Sequence, residues 1–98
     1  MPDPHLAELM AAQMATPYPP ECRGLSIDGV ELVLLDADIY GIATRYARNT
    51  KRMTDEDRMM LTRLLADVDR VWATLPTPEA RTFYGMARDL GRYLMGTR

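Results

Sequence analysis

The sequence is poor in the residues from which most catalytic and metal sites are built. Its 98 residues include one cysteine, one histidine and one serine, which are Cys22, His5 and Ser26. A structural zinc site needs four cysteine or histidine ligands, and a serine hydrolase needs a serine, a histidine and a carboxylate held together. A lone cysteine also excludes a disulfide within the chain. We therefore expect no catalytic residues, no cofactor, no metal site and no enzymatic activity, unless a site forms between two chains.

Positive charge and long apolar runs are also in short supply. The formal net charge is −2, which predicts no general attraction to nucleic acid or to an anionic membrane. No apolar run approaches the roughly 18 residues that a membrane-spanning helix needs. The N-terminal sequence MPDPHLAELM lacks the basic start of a signal peptide. We expect a cytoplasmic protein with no membrane segment.

The apolar content is sufficient for one small domain. Hydrophobic residues make up 47% of the chain and charged residues 27%, which is typical of a soluble globular protein. A chain of this length buries only about 60–65% of its unfolded surface, so its stability margin is small. Association with a partner would widen that margin.

The first 24 residues allow two interpretations. Asp3 and Pro4 fit the start of a helix near residues 4–15, because proline is tolerated at the first helical position. The prolines at positions 17, 19 and 20 must end such a helix. The alternative is a mobile N-terminal tail. In either case we treat residues 1–24 as a separate segment and place a helical domain over residues 25–98.

A β-hairpin is predicted near residues 25–34. The pair Asp28-Gly29 lies between alternating apolar residues, and both positions of the tightest hairpin turn need a positive φ. The alternative is a helix that begins at Asp28, with Glu31 completing a capping box. Extending the next helix back that far would place Leu34 among its charged positions. The hairpin is therefore preferred.

The stretch DADIYG, residues 36–41, resembles the opening of a calcium-binding loop. An EF-hand loop needs oxygen ligands at positions that include 5 and 12, and these are occupied by Tyr40 and Ala47. The same residues fit the start of an amphipathic helix near residues 37–48. We predict that Asp36 is the N-cap of this helix.

Two further helices are predicted near residues 55–75 and 78–95. Each follows a threonine that can cap it, Thr54 or Thr77, and each carries apolar residues at helical spacing. The short connection makes them antiparallel neighbours. The predicted fold is mainly α: a small three- to four-helix bundle with a short N-terminal β-hairpin. An all-α four-helix bundle is the alternative.

The last helix has a broad apolar arc, about 200° wide at 100° per residue. A small domain covers one side of such an arc, so we expect a second molecule to cover the other. The predicted function is a non-catalytic protein–protein interaction module, which self-associates as a homodimer or binds a protein partner through this helix. The predicted partner-binding residues are Arg81, Tyr84, Met86, Arg88, Arg92, Tyr93 and Met95.

An arginine stripe on the same helix supports an alternative function. Arg81, Arg88 and Arg92 lie within about 40° of one another at helical spacing, and guanidinium groups bind phosphates through paired donors. The alternative is a small nucleic-acid-binding regulator. The absence of a basic excess makes this function less favoured.

Three runs carry a resemblance to known proteins: IDGVELVLLDADIYG, LTRLLADVDRVWATL and ARTFYGMARDLGRYL. With them, the chain resembles short actinobacterial proteins to which no function is assigned, over about residues 24–95. The resemblance implies no activity and no catalytic or binding residues.

Overall fold

The computed structural model describes residues 3–49 and 53–96. These form helix α1 (Pro4–Ala15), strands β1 (Ser26–Ile27) and β2 (Val30–Glu31), and helices α2 (Leu32–Asn49), α3 (Asp55–Val71) and α4 (Pro78–Met95). Single 3₁₀ turns lie at Pro20–Cys22 and Trp72–Thr74. The prediction of a mainly α bundle with a short N-terminal hairpin is confirmed. Of the two interpretations of the N-terminal segment, the helix is the one that forms.

Helix α4 lies at the centre of the bundle and packs against α1, α2 and α3. Gly91 lets α4 approach α3 closely, because a Cβ at this position would lie 2.7 Å from Leu65 Cδ2. The most deeply buried large side chains come from all four helices and the turn after α1: Leu6, Cys22, Leu32, Ile39, Ile42, Leu61, Val68, Val71, Tyr84, Leu90 and Leu94. One continuous core therefore includes α1 and the turn after it, so the described part of the N-terminal segment, residues 3–24, contributes to it.

Three helices begin where the sequence places a capping side chain. Asp3 Oδ1 accepts the backbone N–H of the third residue of α1 at 3.0 Å, with Pro4 in the first position. The hydroxyl oxygens of Thr54 and Thr77 accept equivalent N–H groups of α3 and α4, both at 3.0 Å. Each bond satisfies a donor that the helix itself leaves unpaired.

The hairpin is shorter than predicted. Its two strands pair antiparallel in the register Ser26 with Glu31, around a turn in which Asp28 and Gly29 have φ values of 50° and 80°. Positive φ values at both positions are what the Asp-Gly pair predicts for a tight hairpin turn. The helical conformation begins at residue 32, so Leu34 is helical and 52% exposed, and the predicted extent of residues 25–34 is wrong.

Helix α2 follows β2 directly, and Asp36 is therefore not its N-cap. The N–H of Leu32 donates to the carbonyl of Leu25 at 3.1 Å, so the hairpin itself satisfies the first donor of the helix. Asp36 lies more than a turn inside α2 and accepts a hydrogen bond from the side chain of Gln13. The capping prediction is wrong because the start of α2 is set by pairing across the hairpin.

No helix in the described parts of the chain combines the length and the apolar character needed to cross a membrane.

Candidate functional site

The broad apolar arc of α4 is covered within the chain. Tyr84, a predicted partner-binding residue, has no exposed surface. Its hydroxyl donates to the carbonyl oxygen of Leu32 at 2.5 Å and lies 2.8 Å from the hydroxyl of Tyr18. Tyr84 is therefore a core residue, and its assignment to a partner surface is wrong.

Helix α1 covers the side of α4 that was expected to need a partner. The Thr16 hydroxyl oxygen lies 3.5 Å from the sulfur of Met86, and the Tyr93 hydroxyl donates to Asp3 Oδ2 at 2.6 Å. This second bond raises the pKa of Tyr93 to about 12 and lowers that of Asp3. The side chains of Met86 and Tyr93 are half-buried.

Met95, at the end of α4, contacts α3. It is half-buried, with its sulfur 4.0 Å from the hydroxyl of Thr62 and its carbonyl oxygen accepting from Arg58 Nη1 at 3.1 Å. The premise that α4 carries more apolar surface than the chain can cover is wrong. Self-association through α4 stays a prediction without that support.

The arginine stripe of α4 is divided. The guanidinium carbon of Arg88 lies 4.0 Å from the centroid of the Trp72 ring, and its Nη1 lies 3.9 Å from Asp69 Oδ1. Arg81 and Arg92 are exposed. The central arginine is thus held against α3 and the turn that follows it, and the stripe does not present three equivalent cations to a phosphate backbone.

The cysteine and the histidine, Cys22 and His5, do not lie together in a site. Burial raises the pKa of the Cys22 thiol, which disfavours the reactive thiolate. His5 packs edge-on against Tyr93, with ring centroids 4.7 Å apart. Within residues 3–49 and 53–96, no group of three or more histidine, cysteine and acidic side chains is placed to hold a metal ion.

A cavity of about 400 Å³ lies between the C-terminal half of α1 and α2. We call it the α1–α2 groove. Its walls are mainly apolar and include Met14, which is 72% exposed, together with Ala37, Tyr40 and Phe83. Its polar groups include Gln13 from α1 and Asp36 from α2. An apolar cavity with a few converging polar groups is the usual form of a binding site.

Gln13 and Asp36 form a polar pair inside this groove. Gln13 is 4% exposed, and its Nε2 donates to Asp36 Oδ1. Its other amide atom, Oε1, is buried and accepts no hydrogen bond from the described part of the chain. Burial raises the pKa of Asp36, and the bond from Gln13 acts in the opposite direction. A buried acceptor without a donor costs about 1–3 kcal/mol.

Asp36→Asn is expected to stabilise the free protein by about 1 kcal/mol at about pH 7. The new amide can donate to Gln13 Oε1 while its oxygen still accepts from Nε2. The sign follows from the pKa: the folded protein holds the Asp36 proton more tightly than the unfolded chain does, so this group's contribution to stability falls as the pH rises through the raised pKa. The gain should therefore shrink at about pH 3, which lies below the ordinary pKa of an aspartate and so below the raised pKa of Asp36.

Urea unfolding of the two proteins at both pH values measures this effect. Asp38→Asn is the matched control, because Asp38 is exposed two residues further along the same helix. Stabilisation of the same size at both pH values, or in the control, would contradict the assignment of the effect to the buried pair.

A second cavity of about 580 Å³ lies on the other side of Thr16 and Tyr18, which line both cavities. Its walls include the prolines after α1, and Glu21 and Glu79 supply two carboxylates. Glu21 accepts a hydrogen bond from the hydroxyl of Thr77, which lowers the pKa of the glutamate. We call the two adjoining cavities together the trough.

The sequence interpretation missed Gln13 and gave Asp36 another role. One signal for Gln13 was present: it is a polar residue in register with the apolar positions Leu6, Leu9 and Met10 of α1. A polar side chain at a core position of a helix needs a hydrogen-bond partner. That partner lies 23 residues away on another helix, which no local pattern indicates.

Comparison with known proteins finds no match to this chain among family models, curated proteins or solved structures.

Proposed function

We propose that the protein is a non-catalytic interaction module that binds an extended, basic segment of a partner protein along the trough. The observation that supports this most is the polar pair in the α1–α2 groove, where a buried acceptor lacks a donor. The intramolecular contacts that cover α4 disfavour docking there, whereas the trough is open and mainly apolar and includes a buried acceptor without a donor.

The extent of the trough favours a peptide over a small metabolite. Two cavities of about 400 and 580 Å³ adjoin at Thr16 and Tyr18. Each alone has the volume of a small-ligand site, and an occupant that fills both must pass Tyr18. An extended peptide does so by placing side chains in both cavities, as peptides do in aromatic-lined grooves.

The charges of the trough favour a basic segment. Asp36, Glu21 and Glu79 line it, and no arginine or lysine is among the described residues of its walls. Two arginines lie near the trough: the guanidinium carbon of Arg23 is 5.7 Å from the centroid of the Tyr18 ring, and Arg45, which pairs with Asp57, has its Nη1 4.0 Å from where a Cβ on Gly41 would lie. Complementary charge steers the encounter of a partner and selects against acidic sequences.

A displayed peptide library, selected against the immobilised protein, tests the proposal. We expect the selected peptides to be rich in arginine or lysine and to bind with measurable affinity in solution. Ala37→Trp, which fills the α1–α2 groove, should weaken that binding at least about tenfold, or about 1.4 kcal/mol. Ala47→Trp is the matched control, because Ala47 is an exposed alanine of the same helix outside the groove.

Three outcomes would overturn the proposal. They are a failure to select any peptide, binding that both tryptophan variants weaken equally, and selected peptides without basic residues. Sedimentation of the unliganded protein tests whether a second copy of the chain occupies the groove. If the protein is a dimer and Ala37→Trp dissociates it, then a second copy, rather than a partner segment, fills the groove.

A further inference from the structure

The unpaired oxygen of Gln13 calls for a donor from outside the chain. Folded proteins seldom leave a buried polar atom without a hydrogen bond, because the desolvation is not recovered. A leucine at this position would occupy a similar volume without that cost. Nε2 already donates a hydrogen bond to Asp36, whereas Oε1 accepts none, so the unpaired atom of the amide is an acceptor.

Asp36 adds a second acceptor and a negative charge at the same place. One carboxylate oxygen, Oδ1, accepts from Gln13, and no hydrogen bond within the described residues reaches Oδ2. Asp36 takes part in none of the salt bridges identified within the described parts of the chain, which include Arg45–Asp57, Arg70–Asp67 and Arg88–Asp69. A half-buried carboxylate without a cation is an incomplete arrangement, because a nearby positive charge would favour its ionised form.

The walls of the groove suit the stem of a long cationic side chain. Met14, Tyr40 and Phe83 are apolar or aromatic and lie around the pair. Arginine and lysine bury their methylene stems against such surfaces while their charged ends reach polar groups. Aromatic rings add an attraction to the cation. Two neighbouring acceptors suit a guanidinium or an ammonium group, each of which offers at least two N–H donors.

We propose that the α1–α2 groove anchors one arginine or lysine side chain of the partner segment, whose cationic nitrogens donate to Gln13 Oε1 and to the carboxylate of Asp36. This inference rests on the proposed function and assigns its specificity to one pair of residues. Glu21 and Glu79 then add general attraction from the second cavity, whereas the pair in the first cavity selects the anchor.

The test uses a selected peptide synthesised in three forms that differ only at the basic residue on which binding depends. The forms carry the cation, its neutral isostere (citrulline for arginine, norleucine for lysine), or alanine. We expect the cationic form to bind the wild-type protein at least about tenfold more tightly than the neutral isostere. Asp36→Asn should remove that preference without unfolding the protein, and Gln13→Leu should reduce it. Asp38→Asn should leave the preference unchanged.

The possible failures separate the anchor from the function as a whole. Peptides that lose affinity in Ala37→Trp, but bind Asp36→Asn and Asp38→Asn equally well, would overturn the anchor and leave the trough as the binding site. Peptides that are insensitive to Ala37→Trp would overturn both. Free arginine amide and butylamine form a further arm: if either binds as tightly as the peptide, the ligand is a small organic cation and the partner segment is excluded.

Discussion

Replacement of Tyr84 by alanine is expected to lower the free energy of unfolding by about 3–5 kcal/mol, the usual cost of removing a buried aromatic ring. Tyr84 has no exposed surface and packs edge-on with Phe83 and Tyr18, with ring centroids 5.5 and 6.4 Å away. Its hydroxyl also bonds the first residue of α2, Leu32, through the backbone carbonyl. One side chain thus joins α4, α2 and the segment after α1.

Tyr84→Phe separates the contribution of the hydroxyl from that of the ring. It keeps the packing but leaves the carbonyl of Leu32 without this donor, which should cost about 1–3 kcal/mol. Urea unfolding followed by circular dichroism measures both variants, and Tyr40→Ala, at a half-buried tyrosine, is the control with a smaller expected loss. A loss in Tyr84→Ala no larger than that in the control would show that the position is not a core position.

The helices with clear capping residues could be predicted from the sequence. Thr54 and Thr77 each precede an apolar periodic segment, and both hydroxyls bond the N–H groups that the pattern requires. The hairpin turn could be predicted for the same kind of reason, since Asp28-Gly29 satisfies a steric demand that few pairs meet. In each case a few neighbouring residues determine the local conformation, so the sequence is sufficient to predict it.

The start of α2 could not be predicted in this way. Alternating apolar residues such as Leu32 and Leu34 fit a strand as well as the edge of a helix. The decision rests on a contact between residues seven apart, the bond from the N–H of Leu32 to the carbonyl of Leu25. Leu34 then falls on the exposed side of α2, which the strand interpretation excluded.

The sequence predicts the width of the apolar arc of α4, but the inference that a second molecule must cover it is wrong. A wide arc indicates a helix that is covered on several sides, but periodicity does not say which elements provide the cover. Here α1 provides it, through contacts of Asp3 and Thr16 with Tyr93 and Met86. The uncertain N-terminal segment is thus the element that decides whether α4 is available to a partner.

The pair of Gln13 and Asp36 is expected to lower the stability of the free protein and, in the proposed function, to bind a cation. Asp36→Asn is expected to complete the hydrogen bonding of Gln13 and so to stabilise the free protein, yet it removes the charge that would hold a cation. Sites that serve function at the expense of stability show this combination. A residue chosen for stability alone would not leave Gln13 Oε1 buried without a donor.

Leu6→Ala is expected to lower the free energy of unfolding by about 2–5 kcal/mol and to loosen α1 before the rest of the bundle unfolds. Leu6 is 1% exposed and is the most deeply buried side chain of α1. Loosening α1 uncovers Met86 and Tyr93 and displaces Gln13 from Asp36, so the variant should expose apolar surface on α4 and also bind peptides more weakly. Glu8→Ala, at an exposed position of the same helix, is the control and should change neither property.

Hydrogen exchange distinguishes this local opening from global unfolding. In Leu6→Ala, the amides of α1 should lose protection at low denaturant concentration while those in the middle of α4 keep theirs. Concentration-dependent sedimentation then measures whether the apolar arc of α4 can form an interface once α1 no longer covers it. We expect the uncovered helix to associate with a second copy, because an exposed apolar surface of this kind favours association. If α1 and α4 instead lose protection together, the bundle unfolds as one unit, and α1 belongs to the core on the same terms as the other helices.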